Sequence, residues 1–301
     1  MTLAADAQPR TVVVAAAAPL WASAEDAREV APFAASSYPA FRAWAEGRLP
    51  DQQPLHGRLH TVALSGEPVR VIGAAAPSLV EVALPAQPNG NDGYVGVMHA
   101  AHVGDDARRA ATHVVAAGGA HASASDDDAP VELPAGTTVE LLAGAEAEGC
   151  VEVLLASGAR VRCPEAALRP LGPALGAAEL FEIAAGFAGV PYLWGGVEDA
   201  GIDCSGLVHL AARIGGRVVP RDAQHQWAAT RFDARDADEL AVGDLLFFGD
   251  EASLTGIDHV GLYAGEGRML HAPEAGRSVV VEPLSARARE RTVGFGRYRA
   301  V

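Results

Sequence analysis

The sequence predicts an α+β protein in which two small β-barrels precede a domain of helices and sheet. Two observations carry this prediction. Short β-like runs, separated by turn residues, recur through residues 55–171. After them a helical pattern comes first and a series of short strands follows, an order typical of α+β folds. Because 301 residues are long for a single core, we divide the chain into residues 1–104, 105–172 and 173–301.

Each predicted barrel consists of short strands around turns that contain glycine or proline. The β-like runs of the first barrel lie at residues 58–62, 68–72 and 79–83, before a turn at 88–93. The second barrel repeats this pattern at residues 138–142, 150–155 and 160–163. Residues 164–176 contain three prolines and are interpreted as the linker to the last domain.

The last domain begins with helical periodicity and ends with strands. Leu180, Ile183, Ala184 and Phe187 mark the apolar face of a first helix. A second helix is expected to start at Cys204 and to end near Gly215. Strands are then expected at residues 245–248, 259–263, 269–271, 279–282 and 293–298.

Composition and charge exclude several classes of function. Half of the residues are apolar, and the formal net charge of −15 argues against binding to nucleic acid or to anionic membranes. No segment is long and apolar enough to cross a membrane as a helix. Cys150 and Cys163 are expected in the core, although a small barrel could also bring them face to face. The sequence calls for no metal and no cofactor.

The start of the chain allows two interpretations. The apolar run Val12 to Ala18 resembles the core of a signal peptide, but Asp6 and a single basic residue, Arg10, precede it. We favour the alternative, a first β-strand over residues 11–22. Three cysteines do not make a disulfide framework, so we expect a cytoplasmic location, with a secreted or cell-wall location as the alternative.

Cys204 is the candidate nucleophile. It lies where the loop 201–203 becomes a helix, and the apolar residues of 207–214 recur at helical spacing. At a helix N-terminus, unpaired N–H groups and the helix dipole favour the thiolate, which is the attacking species. This position predicts that Cys204 is alkylated before Cys150 and Cys163. The alternative is a small buried core cysteine.

Two histidines are candidates for the base that a thiol nucleophile requires. His259 and His271 each lie in a β-like run, and a glycine-containing turn separates the runs. Neighbouring antiparallel strands would bring the rings together, so that one acts as a base near neutral pH and the other holds it in the useful tautomer. The remaining histidines are interpreted as ordinary residues: His56, His60, His99, His102, His113, His121, His209 and His225.

These residues resemble the NlpC family of papain-like cysteine peptidases, which act on bacterial cell-wall peptides. The matching segments occur in the family's order. They are residues 191–196 (PYLWGG), 203–208 (DCSGLV), 221–226 (RDAQHQ), 242–248 (VGDLLFF) and the runs that contain His259 and His271. Several ordered blocks are a far more specific signal than one short motif.

The resemblance implies a role for each catalytic residue. Cys204 is the nucleophile, His259 the general base and then acid, and His271 the group that orients His259. The Tyr192 hydroxyl and backbone N–H groups of the nucleophile turn are implied to stabilise the oxyanion. The expected fold is papain-like, with the nucleophile on a helix and the base on a sheet. The two preceding units resemble bacterial SH3-like barrels.

One subgroup of the family, with a similar first barrel, implies the substrate. Its barrel narrows the cleft so that only a peptide with a free N-terminal L-Ala fits, as in L-Ala-γ-D-Glu-diamino acid. Motif by motif, the residues that would bind the ammonium here are Glu67, Tyr94, Asp203, Ser205 and Asp222. A buried ammonium needs such partners because an unpaired charge is costly to desolvate.

Each of these residues also has a structural alternative. Glu67 and Asp222 could be exposed turn residues, Asp203 a helix N-cap and Tyr94 part of a barrel core. Arg221 is a candidate to bind a substrate carboxylate, with a surface position as its alternative.

The expected activity is that of a γ-D-glutamyl-L-diamino acid endopeptidase in muropeptide recycling. A papain-like amidase or acyltransferase is one alternative, and a cell-wall-binding protein with an inactive papain-like domain is another. Two residues depart from the subgroup pattern, because Ser65 replaces an aromatic residue and Val97 replaces a tryptophan. These changes predict a looser cleft and put the requirement for a free amine in question.

Overall fold

The first unit is an antiparallel sheet covered by helices. The computed structural model describes residues 10–30, 38–89, 93–124, 130–142, 149–232 and 239–299. The elements of the first unit are β1 (Thr11–Val13), β2 (Ala17–Trp21), α1 (Ala24–Val30), α2 (Tyr38–Arg48), β3 (Leu59–Leu64), β4 (Arg70–Ala76), β5 (Leu79–Leu84), β6 (Tyr94–His99) and β7 (Val103–Asp105). The main sheet has the order β3-β2-β6-β5-β4, and β1 pairs with β7.

The helices of the first unit were not expected from the sequence. The Ser23 hydroxyl caps α1 by accepting a hydrogen bond from the Asp26 N–H at 3.1 Å. Phe41 of α2 packs with Trp21 of β2 in one buried cluster. Residues 11–13 and 17–21 form β1 and β2, so the segment is extended as the strand interpretation predicted, but as two short strands in different sheets and not as one. The remaining residues of the signal-peptide interpretation, 1–9, lie outside the described part of the chain.

The second unit is also rich in strands. Its elements are β8 (His113–Val115), β9 (Ala120–Ala122), β10 (Val131–Leu133), β11 (Thr138–Leu141), β12 (Cys150–Leu154), β13 (Arg160–Pro164) and β14 (Leu168–Pro170). The sheet has the order β13-β12-β11-β8-β14, and β9 pairs with β10. Because β14 pairs with β8, part of the expected linker belongs to this sheet. The strand-rich character matches the prediction, and the SH3-like topology stays a prediction.

The two cysteines of this unit do not face each other. Val151 lies opposite Cys163, and Cys150 lies opposite Pro164. Because successive side chains of a strand point to opposite faces, the two thiols lie on different faces of the sheet. Cys163 is fully buried, Cys150 is half-buried, and both are free thiols.

In the third unit, helices pack against a six-stranded antiparallel sheet. Its elements are α3 (Ala177–Ala185), β15 (Val197–Glu198), β16 (Gly201–Ile202), α4 (Cys204–Ile214), α5 (Ala223–Thr230), β17 (Arg231–Phe232), β18 (Leu245–Gly249), β19 (Ile257–Gly265), β20 (Arg268–His271), β21 (Val280–Pro283), α6 (Ala286–Arg291) and β22 (Thr292–Gly296). The sheet order is β17-β22-β18-β19-β20-β21. The two expected helices (α3 and α4) and the five expected strands (β18 to β22) occur in the predicted order, whereas α5, α6 and the short strands β15, β16 and β17 were not expected.

The apolar stripe of α4 determines where its N-terminus lies. Leu207 and Leu210 are buried against Phe247 of β18 and Val260 of β19 in one hydrophobic cluster. This packing fixes α4 across the sheet and holds its first residue, Cys204, beside β19. Burial of such side chains stabilises the fold by roughly 1.5–3 kcal/mol each.

Gly206 allows a close approach that positions the start of α4. A Cβ atom at residue 206 would lie 2.2 Å from the carbonyl oxygen of Gly196, a backbone atom with little freedom to move. The turn before β15 and the first turn of α4 are therefore in direct contact only because residue 206 has no side chain.

We predict that Gly206→Ala lowers the free energy of unfolding by about 1–3 kcal/mol, the usual cost of an overpacked site. The matched control is Gly47→Ala in α2, where an added Cβ would meet no atom within 4 Å. This control should stabilise the protein by roughly 0.5–1 kcal/mol because alanine favours the helix. Urea unfolding of both variants measures the difference, and equal stability of Gly206→Ala and wild type contradicts the prediction.

Candidate active site

The first turn of α4 presents Cys204 to a cleft of about 560 Å³. Asp203 caps the helix, because its Oδ1 accepts a hydrogen bond from the Gly206 N–H at 2.7 Å. Tyr192, His259 and His271 line the same cleft. The structure therefore brings together all four residues that the sequence predicted as catalytic.

The thiol of Cys204 differs from the expectation drawn from its helix position. Cys204 is 8% exposed, and burial, followed by the negative charge of Asp203, raises the pKa of its thiol to about 12. The N–H groups of Val260 and Ser205 oppose this shift only in part. Because desolvation outweighs the helix N-terminus, the resting nucleophile is a neutral thiol.

His259 and His271 form a hydrogen-bonded pair. They lie on adjacent strands, β19 and β20, and His259 Nε2 is 2.8 Å from His271 Nδ1. The rings meet edge to face, with centroids 5.1 Å apart. On the far side of the pair, His271 Nε2 is 2.9 Å from Glu282 Oε1, on β21. Sequence reasoning missed Glu282, because nothing in its local pattern distinguishes it from a surface carboxylate.

The environment of His259 keeps its imidazole neutral. Burial, with smaller contributions from His271 and Arg291, lowers the pKa of His259 to about 3. A neutral ring can accept a proton at neutral pH. His259 is therefore in the protonation state that a general base requires.

Tyr192 is held in place through its backbone by a residue of the first unit. Gln52 Nε2 donates to the Tyr192 carbonyl at 2.8 Å, and Gln52 Oε1 accepts from the Trp194 N–H at 2.9 Å. Gln52 is 4% exposed and lies after α2, in a segment that carried no sequence signal. Burial raises the pKa of Tyr192, with smaller contributions from its neighbours Cys204 and Asp203, so its hydroxyl stays protonated as a donor.

Arg221 and Asp203 form a buried ion pair behind the nucleophile. Arg221 is 1% exposed, and its Nη2 lies 2.7 Å from Asp203 Oδ2. The guanidinium also donates to the Ser205 hydroxyl, the Thr61 hydroxyl and the Gly196 carbonyl. Since each of its N–H groups has a protein acceptor, Arg221 neither lies on the surface nor keeps a donor for a substrate carboxylate. We therefore correct its expected role to that of a positioning residue.

Asp203 and Ser205 are also engaged by the protein. Both oxygens of Asp203 accept hydrogen bonds, from Gly195, Gly206, Ser205 and Arg221. The Ser205 hydroxyl donates to Asp203 and accepts from Arg221. The helix-cap alternative for Asp203 is thus the one that the geometry matches.

Tyr94 and Asp222, two of the residues expected to bind an ammonium, are both half-buried and are not among the residues that line the Cys204 cleft. The Tyr94 hydroxyl donates to Asp222 Oδ2 at 3.0 Å across the boundary between the first and third units. Burial raises the pKa of Asp222, and the nearby Arg221 opposes that shift. Glu67, by contrast, is 1% exposed, and its Oε2 accepts from the Leu64 N–H and lies 3.6 Å from Arg213. Glu67 is therefore not an exposed turn residue.

The first unit also contributes His56 to the cleft. Its ring packs on Trp194 with centroids 4.3 Å apart, and both residues line the cleft that contains Cys204. The interpretation of His56 as an ordinary histidine is therefore wrong, because its ring lines the cleft.

The two residues that depart from the subgroup pattern do not line this cleft. Ser65 is buried, and Val97 packs in the same cluster as Trp21, under α1 and α2.

Among the residues that the structure describes, no group of three or more histidine, cysteine, aspartate or glutamate side chains is arranged to hold a metal ion. None of the described helices is long and apolar enough to span a bilayer.

Comparisons with known proteins show the family of the chain. Residues 189–297 match the model of the NlpC/P60 family. The chain is 32% identical over 282 residues to the gamma-D-glutamyl-L-lysine dipeptidyl-peptidase of Bacillus subtilis (strain 168), covering 91% of this chain and 93% of that relative. A Bacillus cereus protein of the same name is 39% identical over 99 residues, or 33% of this chain and 29% of that relative.

Among solved structures, a crystal structure of an NlpC/P60 family protein from Bacillus cereus ATCC 10987 superimposes with a TM-score of 0.82. It is 26% identical in sequence, and the match covers 96% of this chain and 99% of that one. The chain belongs to the NlpC/P60 family, and it is a cysteine peptidase.

We predict that alkylation of Cys204 by iodoacetamide is slow near neutral pH and accelerates about tenfold per pH unit from about pH 7 to about pH 9, because only the thiolate reacts. Half-buried Cys150 should be labelled first. This order reverses the expectation from the helix N-terminus. Peptide mapping by mass spectrometry assigns each label, with Cys204→Ala as the control. Rapid, pH-independent labelling of Cys204 at neutral pH would instead indicate a preformed thiolate–imidazolium pair.

Proposed function

We propose that the protein hydrolyses the γ-D-glutamyl-diamino acid bond of peptidoglycan stem peptides, releasing L-Ala-D-Glu from L-Ala-γ-D-Glu-diamino acid. The observation that carries this proposal is the cleft in which Cys204, His259, His271 and Tyr192 meet. The similarity to the Bacillus subtilis gamma-D-glutamyl-L-lysine dipeptidyl-peptidase supports the choice of bond, because it covers the N-terminal units as well as the peptidase domain.

The proposed reaction proceeds through a thioester. His259 takes the thiol proton as the Cys204 sulfur attacks the γ-carbonyl carbon of D-Glu. The C–N bond then breaks, and His259 returns the proton to the leaving amine of the diamino acid. Water attacks the thioester, His259 accepts a proton from it, and the C–S bond breaks to release the dipeptide and regenerate the thiol.

Tyr192 and backbone N–H groups are proposed to stabilise the oxyanion. Tyr192 lies in the cleft with a raised pKa, so its hydroxyl can donate to the oxygen that becomes negative. Gln52 fixes the backbone on both sides of Leu193, and such preorganisation avoids reorientation of the donor during the reaction.

We propose Tyr94 and Asp222 as the pair that binds the substrate's ammonium. Asp222 is half-buried, and burial raises the pKa of its carboxyl group. Its Oδ2 already accepts a hydrogen bond from the Tyr94 hydroxyl. A cationic group beside it would relieve the cost of that buried negative charge. Asp203 and Ser205 would contribute by holding Arg221 and the nucleophile turn. A direct contact of Glu67 with the ammonium stays a prediction.

Three further expectations from the sequence also stay predictions. They are the SH3-like character of residues 1–104 and 105–172, the start of the peptidase domain at residue 173, and a role in cytoplasmic muropeptide recycling.

The proposal predicts a preference for free amino termini. Acetylation of the L-Ala nitrogen should reduce kcat/KM of the wild type strongly, because it removes the charge that Asp222 pairs with. Tyr94→Phe and Asp222→Asn should raise KM for the free peptide by roughly 5- to 150-fold, corresponding to about 1–3 kcal/mol for an unpaired group. Both variants should lose much less on acetylation than the wild type does. Mass spectrometry of the products supplies kcat and KM, and equal cleavage of free and acetylated peptide by the wild type contradicts the proposed site.

A second prediction separates the catalytic side chains. Cys204→Ala and His259→Ala should abolish most of kcat while the protein remains folded. His271→Asn should keep measurable activity, because an amide can still hydrogen-bond the neighbouring ring. Circular dichroism controls for folding. An active Cys204→Ala variant, or an essential His271 beside a dispensable His259, would overturn the assigned roles.

A further inference from the structure

The histidine pair continues into a third and a fourth side chain. Beyond His271, the carboxylate of Glu282 lies 2.9 Å from His271 Nε2. Arg277 holds that carboxylate from the other side, with Nη2 2.7 Å from Oε2 and Nη1 3.3 Å from Oε1. Glu282 is on β21, the strand next to the β20 strand of His271. It is therefore fixed by the sheet as well as by the guanidinium.

The position of each hydrogen in this chain follows from the chemistry of a carboxylate. The hydrogen bond from Arg277 lowers the pKa of Glu282, so the group is ionised and can only accept. His271 must then carry its hydrogen on Nε2. A neutral imidazole has one N–H, so His271 Nδ1 is bare and accepts from His259 Nε2–H.

We propose that Glu282 is a positioning residue that sets these tautomers, so that Nδ1 of His259 is left bare as the nitrogen that accepts the Cys204 proton. The inference rests on the proposed function for the identity of the nucleophile and the base. The reverse tautomer chain would place a hydrogen on His259 Nδ1, and that nitrogen could not accept one.

The carboxylate also acts after proton transfer. When His259 becomes an imidazolium, its Nε2–H donates to His271, whose own N–H donates to a negative charge. Glu282 therefore stabilises the charge that develops on the base in the transition state, and this effect raises kcat more than it changes substrate binding.

Several charged groups near His259 and His271 affect the pKa values of the two rings. Arg277 and Glu282 face His271. Arg291 of α6 lowers the pKa of His259, and Asp203 at the start of α4 raises it. Asp258, next to His259 on β19, is already paired with Arg291 at 2.6 Å. Of these, Glu282 is the carboxylate that contacts a ring.

The tautomers can be observed without activity. In the Cys204→Ala variant labelled with ¹⁵N-histidine, the proposal expects protonated-type shifts for Nε2 of both rings and a bare-type shift for Nδ1 of His259. A hydrogen on His259 Nδ1 overturns the proposal. Because this spectrum does not depend on turnover, it fails or succeeds separately from the assignment of the substrate.

Kinetics test the role of the carboxylate. Glu282→Gln should lower kcat by roughly 10- to 100-fold with KM unchanged, an effect typical of groups that orient a reactive side chain. The acid limb of the pH profile of kcat should move to lower pH in this variant, because a negative charge that raises the pKa of His271 is lost. Arg277→Gln should move the limb to higher pH, because Arg277 lowers that pKa. Glu282→Asp should restore part of kcat.

Glu266→Gln is the matched control. Glu266 lies in the β19–β20 turn, is exposed, and pairs with Arg268 at 3.2 Å, so its loss should change neither kcat nor the acid limb. A Glu282→Gln variant with wild-type kcat and an unchanged acid limb overturns the proposal. If kcat falls but the acid limb of the pH profile does not move, Glu282 has only a structural role, and the proposal is again overturned.

Discussion

The buried ion pair between Arg221 and Asp203 is the interaction on which the active site depends. It joins the cap of α4, the turn at Gly196 and the Thr61 hydroxyl of β3, so one guanidinium connects the first unit to the peptidase domain. Two charges are removed from water here, and loss of one partner costs about 3–5 kcal/mol because the other stays buried and unpaired. Such a pair adds little net stability, but it fixes one geometry. The position of Cys204 therefore depends on residues far from it in sequence.

The same burial determines the chemistry of the nucleophile. A helix N-terminus lowers a thiol pKa, whereas removal from water raises it, and in this cleft the second effect is larger. The thiol of Cys204 and the imidazole of His259 are then both neutral at rest. Charge then has to develop inside a site whose donors are already oriented.

Local patterns in the sequence were sufficient for the core of the peptidase domain. The apolar stripe of α4 and the alternation of the strands from β18 to β22 give both the element order and the pairing of His259 with His271. Two of the missed helices have weak signals: α1 is seven residues long, and α6 buries no residue among those described. Arg221 and Glu282 could not be assigned, because their roles arise from contacts between separate elements. The stacking of His56 on Trp194 depends on packing between units and has no local signature.

The central claim is that the γ-glutamyl carbonyl is transferred to the sulfur of Cys204. Acid quenching of the wild type during turnover of L-Ala-γ-D-Glu-diaminopimelate, followed by mass spectrometry of the whole protein and of its peptides, tests this claim directly. The account predicts an adduct equal to the dipeptide less one water, on the peptide that contains Cys204, and its absence in Cys204→Ala. Turnover without any adduct on Cys204, together with an adduct elsewhere or full activity of Cys204→Ala, would contradict it.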